Sequence, residues 1–210
     1  NYTEDGAKKV SELETLVDQY EDELGTYLVK LSRQNLSVHD SHTLSIVLHC
    51  IGDFERISDH AINIMEAAQE MHNKKLTFSP KAEEELKVFS RAVQDIVEKA
   101  YAVFRDQDEK LAQKVEPLEA VVDDLNQEVK KRHIRRLRTG KCTIELGFIL
   151  SDITTSLERV ADHCSNIAVC VTQVRDDTYD THGYLNSVKN EDSEIFRGLV
   201  LEAEEKYLLP

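Results

Sequence analysis

The strongest constraint on this chain is a stretch that occurs twice. Asp53-Phe-Glu-Arg-Ile-Ser-Asp-His-Ala-Ile-Asn-Ile64 returns as Ser156-Leu-Glu-Arg-Val-Ala-Asp-His-Cys-Ser-Asn-Ile167, 103 residues later. Upstream, Glu14-Thr-Leu-Val-Asp18 returns as Glu119-Ala-Val-Val-Asp123, 105 residues later. Two matched pairs in the same order imply two copies of one structural unit. Each copy carries ExxxD on one helix and ERxxDHxxN on the next.

Helical periodicity runs through nearly the whole chain. Val10, Leu13, Val17, Tyr20, Leu24, Tyr27, Leu28 and Leu31 repeat at three and four residues and predict a helix over 7–34. A second helix is expected from a cap at Asp40 or Ser41 to about His72. Ser79-Pro80 restarts the chain into a third helix ending near Arg105. The fourth is expected over 108–138, kinked at Pro117 and ended by Gly140. A fifth covers 142–174, 176–189 reads as loop, and a sixth covers 190–208. Strand alternation is absent, so the fold class is all-α. Seven Gly and three Pro in 210 residues agree with long helices, since average usage would be roughly 12%.

The acidic residues of the repeat are placed for a common purpose. Residues four apart on a helix differ by about 40° in direction and about 6 Å in height. Glu55, Asp59 and Asn63 therefore form one ridge of oxygen atoms, and Glu158, Asp162 and Asn166 another. Both ridges adjoin an apolar face rather than opposing it. Like charges four apart repel, and a cation held between helices removes that repulsion. Facing carboxylates of helical bundles hold iron or manganese in this way. Pairing of these carboxylates with Arg56, Arg159 or a nearby Lys on a wet surface is the competing explanation. His60 and His163, turned about 100° from the ridge, are expected beside the site or at the surface rather than in it.

Charge and cysteine content exclude other classes. Twenty-six Lys and Arg stand against 40 Asp and Glu, a net charge of −14, which disfavours nucleic acid as a partner. The one basic cluster is Lys130-Lys-Arg-His-Ile-Arg-Arg-Leu-Arg138. It reads as a solvated helix face near a favourable C-terminus, or as a contact for an acidic partner. Cys50, Cys142, Cys164 and Cys170 form no CxxC pair, so they read as reduced cysteines of a cytoplasmic protein, Cys164 and Cys170 as small core residues. No Glu is followed by His three positions later, which argues against a carboxylate-bridged di-iron enzyme.

The repeated ERxxDHxxNI, with ExxxD upstream in each half, resembles the PhoU family. The stretches Arg136-Leu-Arg-Thr-Gly-Lys-Cys142 and Tyr27-Leu-Val-Lys-Leu-Ser-Arg-Gln-Asn-Leu-Ser37 are similar to the PhoU-like domain that follows the membrane part of bacterial Na/Pi-cotransporter-type proteins. The resemblance implies two tandem three-helix bundles of long antiparallel helices, with residues 1–76 as the first repeat and 77–176 as the second. It implies multinuclear metal sites, iron foremost and manganese or zinc otherwise. Glu14, Asp18, Glu55 and Asp59 would form one centre, and Glu119, Asp123, Glu158 and Asp162 the other. Asn63 and Asn166 complete the motifs, and Asp95 matches an acidic position on the family's preceding helix.

The first repeat lacks a counterpart of the 80–105 helix. Either the counterpart falls before residue 1, or the helix over 190–208 in the segment 177–210 fills this gap, and the second is expected. The implied role is a non-enzymatic, metal-binding regulatory domain of phosphate uptake, tethered at the inner face of the membrane by an upstream transporter region. Its partner would be the transporter's membrane domain. A free-standing regulator of a phosphate ABC transporter and its sensor kinase is the alternative, and a homodimer is compatible with either.

Overall fold

The structure is a computed structural model describing residues 2–176 and 193–210, with the side chains of 174–176 and 193 outside the description. All regular structure among these residues is helical. The helices are α1 (Glu4–Leu31), α2 (Val38–Lys74), α3 (Pro80–Asp106), α4 (Glu109–Ala112), α5 (Val115–Arg138), α6 (Ile144–Asp176) and α7 (Ser193–Lys206). The part of the expected loop that falls on 177–192 lies outside the described residues.

Helix ends follow local chemistry. Thr3 caps α1 by accepting from the Gly6 amide. Ser37, rather than Asp40 or Ser41, caps α2, with its hydroxyl accepting from the Asp40 amide. Ser79 caps α3 as expected, with Pro80 leading the first turn. The predicted single helix over 108–138 is instead two. Asp108 caps a single turn, α4, and the chain turns before α5 begins at Val115. Pro117 then falls in the first turn of α5, where its missing N–H costs nothing. Gly140, at φ 68, closes α5 by a left-handed cap.

Among the described helices, the two repeat-equivalent ones, α2 and α6, pack together most extensively. They run antiparallel. Lys74 near the end of α2 pairs with Glu145 at the start of α6 at 2.8 Å, while Asp53 meets His163 Nδ1 at 2.8 Å further along. His60 and His163, equivalent by the repeat, stack on each other with ring centroids 5.7 Å apart. Equivalent residues meet in this way only near a two-fold axis relating the repeats.

The second repeat is a complete bundle of α3, α5 and α6. Phe89, Ile96, Val103, Val122, Val129 and Leu150 fill its core. Among the described residues the first repeat has α1 and α2 only, and α1 packs on α2 alone. No residue of α1 is buried. Leu13, Tyr20, Leu24 and Tyr27 of the expected apolar face stay 44–62% exposed, so that face is only partly covered.

The last helix does not fill that gap. Among the described residues α7 packs on α5 and reaches neither α1 nor α2. Tyr207 is buried in the core of the second repeat, flanked by Val200, Ala203 and Leu209. Arg132 donates to the Pro210 carbonyl oxygen at 2.6 Å. These contacts fix the C-terminal segment to the second bundle.

Candidate metal centres

The two ExxxD segments lie on α1 and α5, each against its ER-motif helix. Glu14, Asp18 and Asp59 offer oxygen atoms within 4.8 Å of one another, and so do Glu119, Asp123 and Asp162. The two triads are equivalent under the repeat. All six side chains are half-buried. Six of the eight carboxylates expected in two centres are thus brought together in threes.

Glu55 and Glu158 stand next to these triads. Burial pushes the Glu55 carboxyl upward, and Asp59 and Asp18 push it further, against a smaller opposing effect of Arg56. Asp123 is likewise raised, first by burial and then by Glu158, Asp162 and Asp124. Each cluster therefore holds more negative charge than its own surroundings neutralise.

Two buried atoms identify where that charge is aimed. Asp18 Oδ1 and Asp123 Oδ1 are both buried without a hydrogen-bond partner among the described residues. Such an oxygen is costly to leave unpaired. These are equivalent atoms in the two repeats, and a hard cation is the partner that suits an all-oxygen donor set.

Arginine supplies part of the compensation. Arg159 donates to Asp162 Oδ2 at 3.0 Å, and Arg56 lies 3.5 Å from Glu55 and 3.7 Å from Asp59. Both arginines are more than half exposed. They neutralise the rim of each cluster and reach neither Asp18 nor Asp123.

One expected ligand is placed elsewhere, and the two motif asparagines have partners of their own. Asp95 accepts from Lys99, from Lys206 Nζ at 2.9 Å and from the Tyr207 hydroxyl at 2.8 Å. Burial alone would raise its pKa, but these three donors outweigh it and hold the carboxyl at about 2. It anchors the C-terminal segment and belongs to neither triad. Asn63 Nδ2 lies 3.5 Å from His60 Nδ1. Asn166 donates to Asp53 Oδ1 at 3.3 Å.

Asp53 is the residue that motif reading missed. It receives both Asn166 and His163, and it borders a cleft of ≈ 570 Å³ shared with Glu21, Glu55 and Arg56. Its repeat counterpart is Ser156, so the repeat could not single it out. Glu116 was missed too. It is buried, accepts from the Ser165 hydroxyl and adds to the negative field at Asp123. The cysteines behave as core residues: Cys50, Cys164 and Cys170 are buried, and burial pushes the Cys164 thiol up to about 12.

Known proteins bear on this arrangement. The PhoU domain matches residues 1–68 and again 86–171. A Thermotoga maritima protein named phosphate-specific transport system accessory protein PhoU homolog 1 is 26% identical over 162 residues, covering 77% of this chain and 69% of that protein. A Synechocystis homologue with the same accessory-protein name is 27% identical over 172 residues, covering 79% and 73%. The crystal structure of PhoU from Pseudomonas aeruginosa superposes with a TM-score of 0.75 over 82% of each chain at 24% identity. With both repeats matched by the same domain, this chain belongs to the PhoU family.

Proposed function

We propose that this chain is a cation-dependent, non-enzymatic regulator of phosphate uptake. The observation that carries the reading is the pair of equivalent carboxylate triads, each with a buried unpaired oxygen at Asp18 or Asp123. Glu14, Asp18 and Asp59, with Glu55 adjacent, would hold one cation or cluster. Glu119, Asp123 and Asp162, with Glu158 adjacent, would hold the other. Iron fits these oxygen ligands, as do manganese and zinc. A bound cation supplies positive charge that lets several carboxylates stay ionised at close range.

The consequence is mechanical. Each triad takes two residues from an ExxxD helix and one from an ER-motif helix, so an ion there ties α1 to α2 and α5 to α6. The tie matters most in the first repeat, where α1 has a single neighbouring helix among the described residues. Metal would order α1 and present a defined surface to a transporter or its sensor kinase.

The names of the curated relatives support a role beside a phosphate-specific transport system. A second reading, the PhoU-like part of a Na/Pi-cotransporter-type protein, is favoured by the segments Tyr27–Ser37 and Arg136–Cys142. No described helix is long and apolar enough to cross a membrane, so in that reading a membrane domain would lie outside these residues.

The test is radiolabelled phosphate uptake in a phosphate-replete host lacking its own PhoU-type regulator. Expression of the chain should restrain uptake, and Asp18→Asn with Asp123→Asn should release it. Identical uptake with and without the chain would overturn the regulatory role.

A further inference from the structure

The tip of the α5–α6 hairpin is built unlike the rest of this acidic molecule. From Val129 to Ile144 there is no Asp or Glu, and seven Lys or Arg fall within that span. Arg132 and Arg136 are committed to the buried Glu85, at 3.4 and 2.8 Å. Lys131 pairs with Glu128, and Lys130 donates to Thr155. Arg135, Arg138 and Lys141 are exposed, and none has an ion-pair partner among the described residues.

Large apolar side chains stand among these cations. Ile134 is 56% exposed, Ile144 71% and Phe148 69%. They share one side of the hairpin. A Cβ at Gly147 would meet His133 Nε2 at 2.8 Å, so residues 133 and 147 face each other across the two helices. The next residue on each antiparallel helix, Ile134 and Phe148, turns about 100° to the same side. Arg138 and Ile144, four residues nearer the tip, return to roughly that side. The stripe is thus Ile134 and Phe148, then Arg138 and Ile144, then Lys141 at the turn. Lys74 and Lys75 end α2 beside it, because Lys74 bridges to Glu145.

We propose that this hairpin tip docks on an anionic phospholipid surface. Three protruding apolar side chains suit the acyl–headgroup boundary, and the flanking guanidinium and ammonium groups suit lipid phosphates. An apolar patch framed by cations, on a chain of net charge −14, is complementary to a negative bilayer. The patch lies at the tip of a two-helix hairpin and draws exposed side chains from both helices, an arrangement that suits a planar partner. The inference is independent of the metal reading, since none of these residues belongs to either triad.

The test is co-sedimentation of the 210-residue chain with vesicles of phosphatidylcholine alone or mixed with phosphatidylglycerol. The chain should sediment with the mixed vesicles only, and raised salt should release it. Arg138→Gln should lower partitioning about fivefold, and Lys141→Gln similarly. Phe148→Ser should weaken binding even with every cation kept. All three sites are exposed, and unchanged melting temperatures verify that the variants fold. Failure to sediment with anionic vesicles would overturn the proposal and leave an acidic protein as the fit for the same cations. Equal binding to neutral vesicles, or binding unaffected by all three variants, would overturn it as well.

Discussion

Asp18 and Asp123 are equivalent residues of the two repeats, and each buries one carboxylate oxygen that no described donor reaches. One such atom could be an accident of packing. Two at matched positions, each inside a triad of carboxylates, make the feature a property of the repeat. It also carries a cost in the metal-free chain, and that cost sets the sign of the first expectations.

Asp123→Asn should stabilise the metal-free chain while abolishing metal-induced stabilisation at the second centre. The amide removes one charge from a cluster that already raises the pKa of Asp123. The gain is expected to be a few tenths of a kcal/mol, because half-exposed carboxylates are screened by solvent. Melting curves with and without Mn²⁺ read both effects. A variant less stable than the parent without metal, yet still responsive at both centres, would contradict the assignment.

The pH dependence has a definite direction. Glu55 and Asp123 have pKa values raised above their ordinary 4.5 and 3.8. Over the interval from those ordinary values up to the raised ones, the folded metal-free chain binds more protons than the unfolded chain. These two groups therefore lower stability as pH rises through that interval. Cation binding needs both ionised, so stabilisation by added Mn²⁺ should grow over the same interval. Asp95, held at about 2, acts oppositely: its contribution is full above 3.8 and is lost as pH falls toward 2. Melting temperature against pH, with and without metal, separates the two behaviours.

Asp95→Asn should release the C-terminal segment without touching either centre. The substitution breaks the pairing with Lys206 and weakens that with Tyr207, at a cost of about 1–2 kcal/mol. Limited proteolysis should then cut more readily around α7, with metal content unchanged. Loss of bound metal in this variant would return Asp95 to the ligand set.

The two bundles should differ in their sensitivity to apolar truncation. Phe89 is fully buried between α3, α5 and α6, and Phe89→Ala should cost about 3–5 kcal/mol. Tyr20, 58% exposed on α1, should tolerate Tyr20→Ser within about 0.5 kcal/mol. Chemical denaturation of the two variants makes the comparison. A large loss at Tyr20 would mean that the open face of α1 is covered in solution.

Much of the architecture was legible because it rests on local rules. Ser79-Pro80 starts a helix and Gly140 ends one for reasons confined to a single turn. The triads were legible because the repeat marks the same residues twice. What escaped depends on partners far along the chain. Asp95 reads as a metal ligand until Lys206 and Tyr207, more than a hundred residues away, come to it. The place of α7 is decided by Tyr207 in the second core and by Arg132 on Pro210, which helical periodicity cannot reveal. Asp53 escaped because the two-fold relation pairs it with His163 across the interface, while its own counterpart is a serine.

The most direct measurement is elemental analysis of the 210-residue chain purified without chelator, alongside Asp18→Asn and Asp123→Asn. The account predicts at least one ion of iron, manganese or zinc per triad, with each variant losing the metal of its own repeat and keeping the other. Metal-free protein whose melting curve is unmoved by all three ions, or equal loss at both sites from either substitution, would contradict it.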